Sequence, residues 1–279
     1  MNPEVQAVVL GVVEGLTEFL PISSTGHLIV AERLIGFKDT GEVFTVVIQL
    51  GAILAVVWFY WRELLHQVTR LFQGSRRARG FWLNLVVASI PAAVIGLLFE
   101  KAIKAALFSP LTVAITLILG GVVLWWVETA RKEPVQENTT DIKTEPDLDS
   151  VTLRQAALIG VAQAVAVIPG VSRSGASIVG GLLTGLNRVT ATAFSFFMGI
   201  PVLGGAGLYS LYKARNALGS IPGGSLALIL GTAVAFVTAL ISVGWLLKYV
   251  STHDFRGFAV YRVIAGVLIL VLIATGVMR

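Results

Sequence analysis

Six stretches of this chain, about 43 to 61, 81 to 99, 105 to 127, 189 to 212, 217 to 247 and 257 to 278, are apolar over roughly the length a helix needs to cross hydrocarbon. Five carry no charge, and the last holds only Arg262, near enough to its start for the side chain to snorkel to the interface, with an auxiliary polar contact an equally good reading. With 56% hydrophobic and 13% charged residues and a mean hydropathy of +0.84, the chain departs from the composition of soluble domains of its length. Lipid is its solvent, and the expected fold class is an all-α polytopic membrane protein.

The formal charge of +5 is not a nucleic-acid footprint, because the basic residues sit between apolar runs rather than along one soluble face. Arg62, Arg70, Arg76, Arg77 and Arg79 fall between the first two runs, which places that loop in the cytoplasm. Alternation puts Arg131, Lys132, Lys143, Lys248 and Arg256 on the same side, and Lys38, Lys101, Lys104, Lys213 and Arg215 opposite. The chain has no cysteine, which removes disulfides, thiolate nucleophiles and Cys-based metal sites. Its first residues lack a basic segment and a small-residue cleavage site, so insertion is expected to rely on the mature helices.

Two further apolar stretches, 5–37 and 152–187, are interrupted by Pro-containing polar breaks and read as re-entrant helical hairpins. Irregular backbone survives at membrane depth only if it is buried in protein or lines a wet cavity, so the breaks mark a candidate site. Sliding the chain by 149 residues aligns them without a gap: Gly11 meets Gly160, Ser23 meets Ser172, Gly26 meets Gly175, and Glu14 faces Gln163. Three spans follow each hairpin, an odd number, so the second copy enters from the opposite side. The expectation is six transmembrane helices plus two re-entrant hairpins in an inverted repeat, residues 1–127 and 151–279, joined by a charged cytoplasmic linker over 128–150.

Glu14 and Glu18 lie four apart on an apolar helix, so two like charges share one face. A divalent-metal site, a shared-proton pair or a proton pathway would justify them; solvation in the headgroup zone is the bland alternative. The break Pro21-Ile22-Ser23-Ser24-Thr25-Gly26-His27 supplies three hydroxyls suited to N-capping, and His27 three residues after Ser24, within reach as its base or as a nucleophile itself. In the second break, Pro169 to Ser177, Arg173 is a permanent charge in an otherwise uncharged region, and its planar fork suits a phosphate or carboxylate. Gly170 and Gly175 let backbone approach a ligand, Ser172, Ser174 and Ser177 offer hydroxyls, and the restarting helix offers free N–H groups. An internal salt bridge from Arg173 to Glu14 or Glu18 is the ligand-free alternative.

At EGLTEFLPISSTGH (Glu14 to His27) and PGVSRSGAS (Pro169 to Ser177) the sequence resembles the undecaprenyl pyrophosphate phosphatase family, the bacitracin-resistance proteins, over essentially its whole length. Ser177 stands where that family's pattern leads one to expect threonine, and the hydroxyl is retained. The resemblance implies hydrolysis of a C55 isoprenoid pyrophosphate, recycling the carrier for peptidoglycan synthesis at the outer face of the bacterial plasma (inner) membrane. It also implies dependence on a divalent cation, Mg or Ca, and a homodimer, with no organic cofactor. The expected assignment has Glu14, Glu18, Ser24, His27 and Arg173 as catalytic residues, Glu14 and Glu18 also holding metal, and Ser23, Thr25, Gly170, Ser172, Ser174, Gly175 and Ser177 binding the substrate. Serine attack, histidine attack and activated water all remain open. The rival class is an isoprenoid-lipid flippase or anion transporter using the same midplane residues.

Overall fold

The computed structural model describes residues 1–39, 43–131, 145–215 and 221–278, apart from the side chains at 100, 104 and 214. Among them the regular structure is helical throughout: α1 Pro3–Thr17, α2 Ser24–Ile35, α3 Val43–Phe59, α4 Trp61–Phe72, α5 Arg76–Leu107, α6 Pro110–Ala130, α7 Leu153–Ala164, α8 Arg173–Leu183, α9 Arg188–Gly199, α10 Gly205–Ala214, α11 Gly224–Val250 and α12 Arg256–Ala274. The starts follow local chemistry. Asn2 and Ser109 cap helices whose first residue is proline, and Thr152 and Gln155 close a reciprocal capping box on α7. Gly36, left-handed at φ 68°, ends α2.

Five helical segments are long and apolar enough to cross a membrane: residues 76–99, 110–130, 188–213, 224–250 and 256–274. A sixth arises if α3 and α4, which meet at a 68° bend, count together. The chain is therefore a multi-pass helical membrane protein. The bend has a plain cause: α3 is uncharged and about 25 Å long at 1.5 Å per residue, whereas α4 carries Arg62, Glu63, His66 and Arg70. Boundaries shift elsewhere too. The helix expected to end near 99 continues to Leu107 and turns only at Phe108 and Ser109. The span expected over 189–212 is interrupted by a π-helical turn, Ile200–Gly204, where Pro201 lacks the N–H that would continue the ladder. The linker's centre, with Lys132 and Lys143, and the first residues of the span expected from 217 lie outside the described residues. At the end of the linker, Asp149 pairs with Arg70 at 3.1 Å.

Packing repeats with a swap of partners: α1 lies on α11, α7 lies on α5, and α6 and α12 lie on each other. Glycine permits the close approach in the first two of these pairs. A Cβ on Gly11 would stand 2.5 Å from the Gly231 carbonyl oxygen, and one on Gly160 would stand 2.5 Å from that of Ala88. Without a hydrophobic drive between helices in lipid, such backbone contact is the main source of packing energy. Gly11→Val is expected to cost about 2 kcal/mol or more, read as a lower melting temperature in detergent against the wild type.

Candidate functional site

Both breaks end in the same local structure. Ser23 (φ 72°, ψ 97°) and Ser172 (φ 73°, ψ 114°) hold backbone angles that only glycine adopts easily, and they are the only non-glycine residues with positive φ among those described. Each caps the following helix, Ser23 Oγ accepting from the Gly26 N–H and Ser172 Oγ from the Gly175 N–H. The strain therefore persists at two positions 149 residues apart, as the alignment of the breaks anticipates. Capping leaves the amides of Ser23, Ser24 and Thr25 on α2, and of Ser172, Arg173 and Ser174 on α8, without a protein acceptor among the described residues. Two helix N-termini thus bring free donors and positive dipole ends to one place, suited to an anion.

That place is a cavity of about 110 Å³ lined by Glu18, Ser23, Ser24, Thr25, Gly170, Ser172 and Arg173, with Gln49 of α3 and Leu203 of the π turn at its wall. Across it runs one chain of polar contacts. Arg173 Nη2 donates to Glu18 Oε1 at 3.0 Å, and Ser24 Oγ donates to Glu18 Oε2 at 2.5 Å. Arg173 Nη1 donates to the Ser195 carbonyl at 2.8 Å, and its guanidinium lies over the Phe19 ring, 5.7 Å from the centroid. Gly199 leaves room for it, since a Cβ there would meet the guanidinium at 3.0 Å. Arg173 Nε is buried with no partner, so the fork is held on two sides and still has a donor to give. Of the two salt bridges foreseen from sequence, the one to Glu18 forms.

The other expected residues sit as follows. Glu14, one turn below Glu18, is fully buried, and neither carboxylate oxygen has a partner. His27 does not reach Ser24: its Nδ1 is 2.7 Å from the Ser23 carbonyl and its Nε2 is 2.7 Å from the Tyr261 hydroxyl. A carbonyl only accepts, so Nδ1 carries the proton of a neutral ring and Tyr261 donates to Nε2. Ser174 Oγ donates to the Leu20 carbonyl, and Ser177 Oγ is 2.6 Å from Ser195 Oγ, behind α8. Gly175 lies against Arg262 rather than in the cavity. Of the two readings open for it, Arg262 takes the inward one. Instead of snorkelling it is 1% exposed and points inward, because five backbone carbonyls replace water around the guanidinium. Gln49, Ser195, Leu203 and Tyr261 were not foreseen: Gln49, Ser195 and Tyr261 lie on helices whose sequence carries no break to mark them, and Leu203 sits in the π turn that begins beside Pro201.

A family model described as bacitracin resistance protein BacA matches residues 7–268. A protein of Deinococcus deserti named undecaprenyl-diphosphatase is 50% identical, the match covering 98% of this chain and 97% of that one. Proteins with the same name are 51% identical in Dechloromonas aromatica, over 95% of this chain and 93% of that one, and 47% identical in Deinococcus radiodurans, over 98% and 96%.

Proposed function

The chain belongs to the bacitracin resistance protein family and is an undecaprenyl-diphosphatase, and we propose that it cuts the pyrophosphate in the cavity between the two breaks, with Ser24 as nucleophile. Its membrane-borne isoprenoid pyrophosphate substrate is converted to undecaprenyl phosphate and inorganic phosphate, which recycles the carrier for cell-wall synthesis and underlies the bacitracin-resistance role. The observation that carries the proposal is the contact of Ser24 Oγ with Glu18 Oε2, Glu18 being held in turn by Arg173. Nucleophile, base and orienting cation stand in one line.

Glu18 takes the Ser24 proton as Oγ bonds to the terminal phosphorus. The bond from that phosphorus to the bridging oxygen breaks, and undecaprenyl phosphate leaves with the electron pair. Water then attacks the same phosphorus, Ser24 Oγ leaves and regains its proton from Glu18, and inorganic phosphate departs with the oxygen and protons of the water. Arg173 and the free amides of both helix N-termini hold the phosphate oxygens, which is most of what phosphoryl transfer asks of a protein. His27 acts through backbone, its Nδ1–H steadying the Ser23 carbonyl beside the nucleophile.

The donor set fits a hard cation such as Mg or Ca. Glu14 offers two buried, unclaimed carboxylate oxygens one turn from Glu18, and the described residues gather no group of three His, Cys, Asp or Glu, so substrate phosphate oxygens would complete the shell. Held by Glu14 and Glu18, such a cation would neutralise phosphate charge. EDTA is expected to lower phosphate release by detergent-purified enzyme at least about tenfold, with recovery on adding Mg or Ca. Full release in EDTA would leave the two carboxylates with proton chemistry alone.

The architecture we infer is six spans plus two re-entrant hairpins in an inverted repeat, 1–127 and 151–279. It is supported by the packing of α1 on α2 and of α7 on α8, the swapped partners α11 and α5, and the matching angles at Ser23 and Ser172. With the arginine-rich loop around α4 and the 128–150 linker cytoplasmic, the hairpin α1–α2 enters from the outer face of the bacterial inner membrane, and the site opens there. A homodimer is the further expectation from the family resemblance, read by cross-linking in membranes.

A further inference from the structure

Arg262 is the largest fully buried side chain among the described residues, and the mechanism above does not use it. It has no carboxylate partner among the described residues. Its guanidinium donates to backbone carbonyls of three separate segments: Nη1 to Pro21 at 3.0 Å in the first break, Nη2 to Gly170 at 3.2 Å and Val171 at 2.9 Å in the second, and Nε to Leu117 at 3.3 Å on α6. Nη2 also reaches Thr116 at 3.3 Å. Retaining a permanent charge in the interior of a membrane protein on carbonyls alone is costly unless the position does something specific.

We infer that Arg262 is a positioning residue, the staple that locks the two breaks together and aims the amides of the second break at the substrate phosphate. A trans peptide points its C=O and N–H in opposite directions. The Val171 carbonyl faces Arg262, so the N–H of the same peptide unit, that of Ser172, faces away from it, on the side where Ser172 lines the phosphate cavity. That N–H and the next two have no protein acceptor among the described residues. The staple also polarises these peptides, making their N–H groups stronger donors. Pro21, three residues before the nucleophile Ser24, is held by the same guanidinium, so Arg262 sets the distance between nucleophile and anion nest. The inference rests on the cavity's being the pyrophosphate site.

Two features make it testable without touching a cavity residue. Gly120 is glycine because Arg262 fills its side-chain space: a Cβ there would stand 2.0 Å from Nη2, so Gly120→Ala forces the flexible guanidinium off the second break. Behind that break, an apolar cavity of about 380 Å³ ends at Arg262, room for a small cation to take the guanidinium's place. The experiment is steady-state phosphate release from undecaprenyl pyrophosphate by detergent-purified wild type, Arg262→Lys, Arg262→Ala, Gly120→Ala and, as control, Arg173→Ala. Expected are a kcat lower by about 10- to 100-fold in Arg262→Lys and Gly120→Ala, the size of losing well-aimed amide donors, with KM changed less than about threefold. Guanidinium chloride in the tens of millimolar should restore part of the Arg262→Ala kcat, and methylammonium should not, a response that general loosening of the fold would not produce. Should the Arg262 variants fail to fold, Gly120→Ala decides alone. Wild-type kcat in folded Gly120→Ala, or a loss confined to KM with no rescue, overturns the staple while an inactive Arg173→Ala leaves the site standing; full activity of Arg173→Ala overturns both.

Discussion

Replacing Arg173 by alanine is expected to lower kcat/KM for undecaprenyl pyrophosphate by about 10³-fold or more, the scale set by cations that stabilise a transferring phosphoryl group. Two losses combine. The phosphate forfeits a permanent positive charge whose Nε is free to donate, and Glu18 forfeits the 3.0 Å partner that holds its carboxylate toward Ser24. The second loss also leaves a buried carboxylate uncompensated, worth about 3–5 kcal/mol of stability when one member of such a pair is removed. Arg173→Lys separates the two effects. It keeps the charge but not the fork that touches Glu18 and Ser195 at once, so it should recover much of the melting temperature and little of the turnover. Phosphate release and thermal unfolding, measured on the same detergent preparations, check both parts. A fully active Arg173→Lys would mean that charge alone matters and that bidentate geometry does not.

The second large effect concerns the nucleophile. Ser24→Ala is expected to lose at least about 10³-fold in kcat, comparable to deleting a group that acts as one unit with its base, while binding of the pyrophosphate lipid stays within a few-fold, because Arg173 and the helix amides remain. Acid quenching during turnover should trap phosphate on Ser24 of the wild type, visible as a phosphopeptide by mass spectrometry. Glu18→Gln should abolish that adduct, since the 2.5 Å contact shows Glu18 to be the only carboxylate in reach of the hydroxyl among the described residues. His27→Gln retains a side chain able to donate to the Ser23 carbonyl and should keep considerable turnover. An active Ser24→Ala would transfer the attack to water activated by Glu18, and a phosphohistidine at His27 would require the ring to leave both of its present partners.

Much was legible before any coordinate. Lipid admits long uncharged runs and penalises polar breaks, so the helical class, both breaks and the pairing of Arg173 with one of Glu14 and Glu18 followed from residue type and spacing. The 149-residue alignment of Gly11 with Gly160 and of Ser23 with Ser172 was readable too, because the same packing and capping demands call for the same small or hydroxyl residue at both places.

What the tertiary structure alone decided is which partner each polar group meets. Helical periodicity puts Glu14 and Glu18 on one face and cannot rank them; Glu18, the last residue on the helical path of α1, is the one that α2 and α8 meet through Ser24 and Arg173, while Glu14 one turn earlier keeps both oxygens unclaimed. His27 looked like the base for Ser24 by sequence distance, yet Tyr261, 234 residues away, holds its Nε2. Arg262 lies near a span's start, where snorkelling and a polar contact are equally good readings, and it turns inward because carbonyls from residues 91 to 241 positions distant converge where α6 meets α12. Local sequence specifies conformation and polarity, which depend on near neighbours. The pairing of charges across a membrane interior depends on how helices cross, and that is set by glycines and bulk spread over the whole chain.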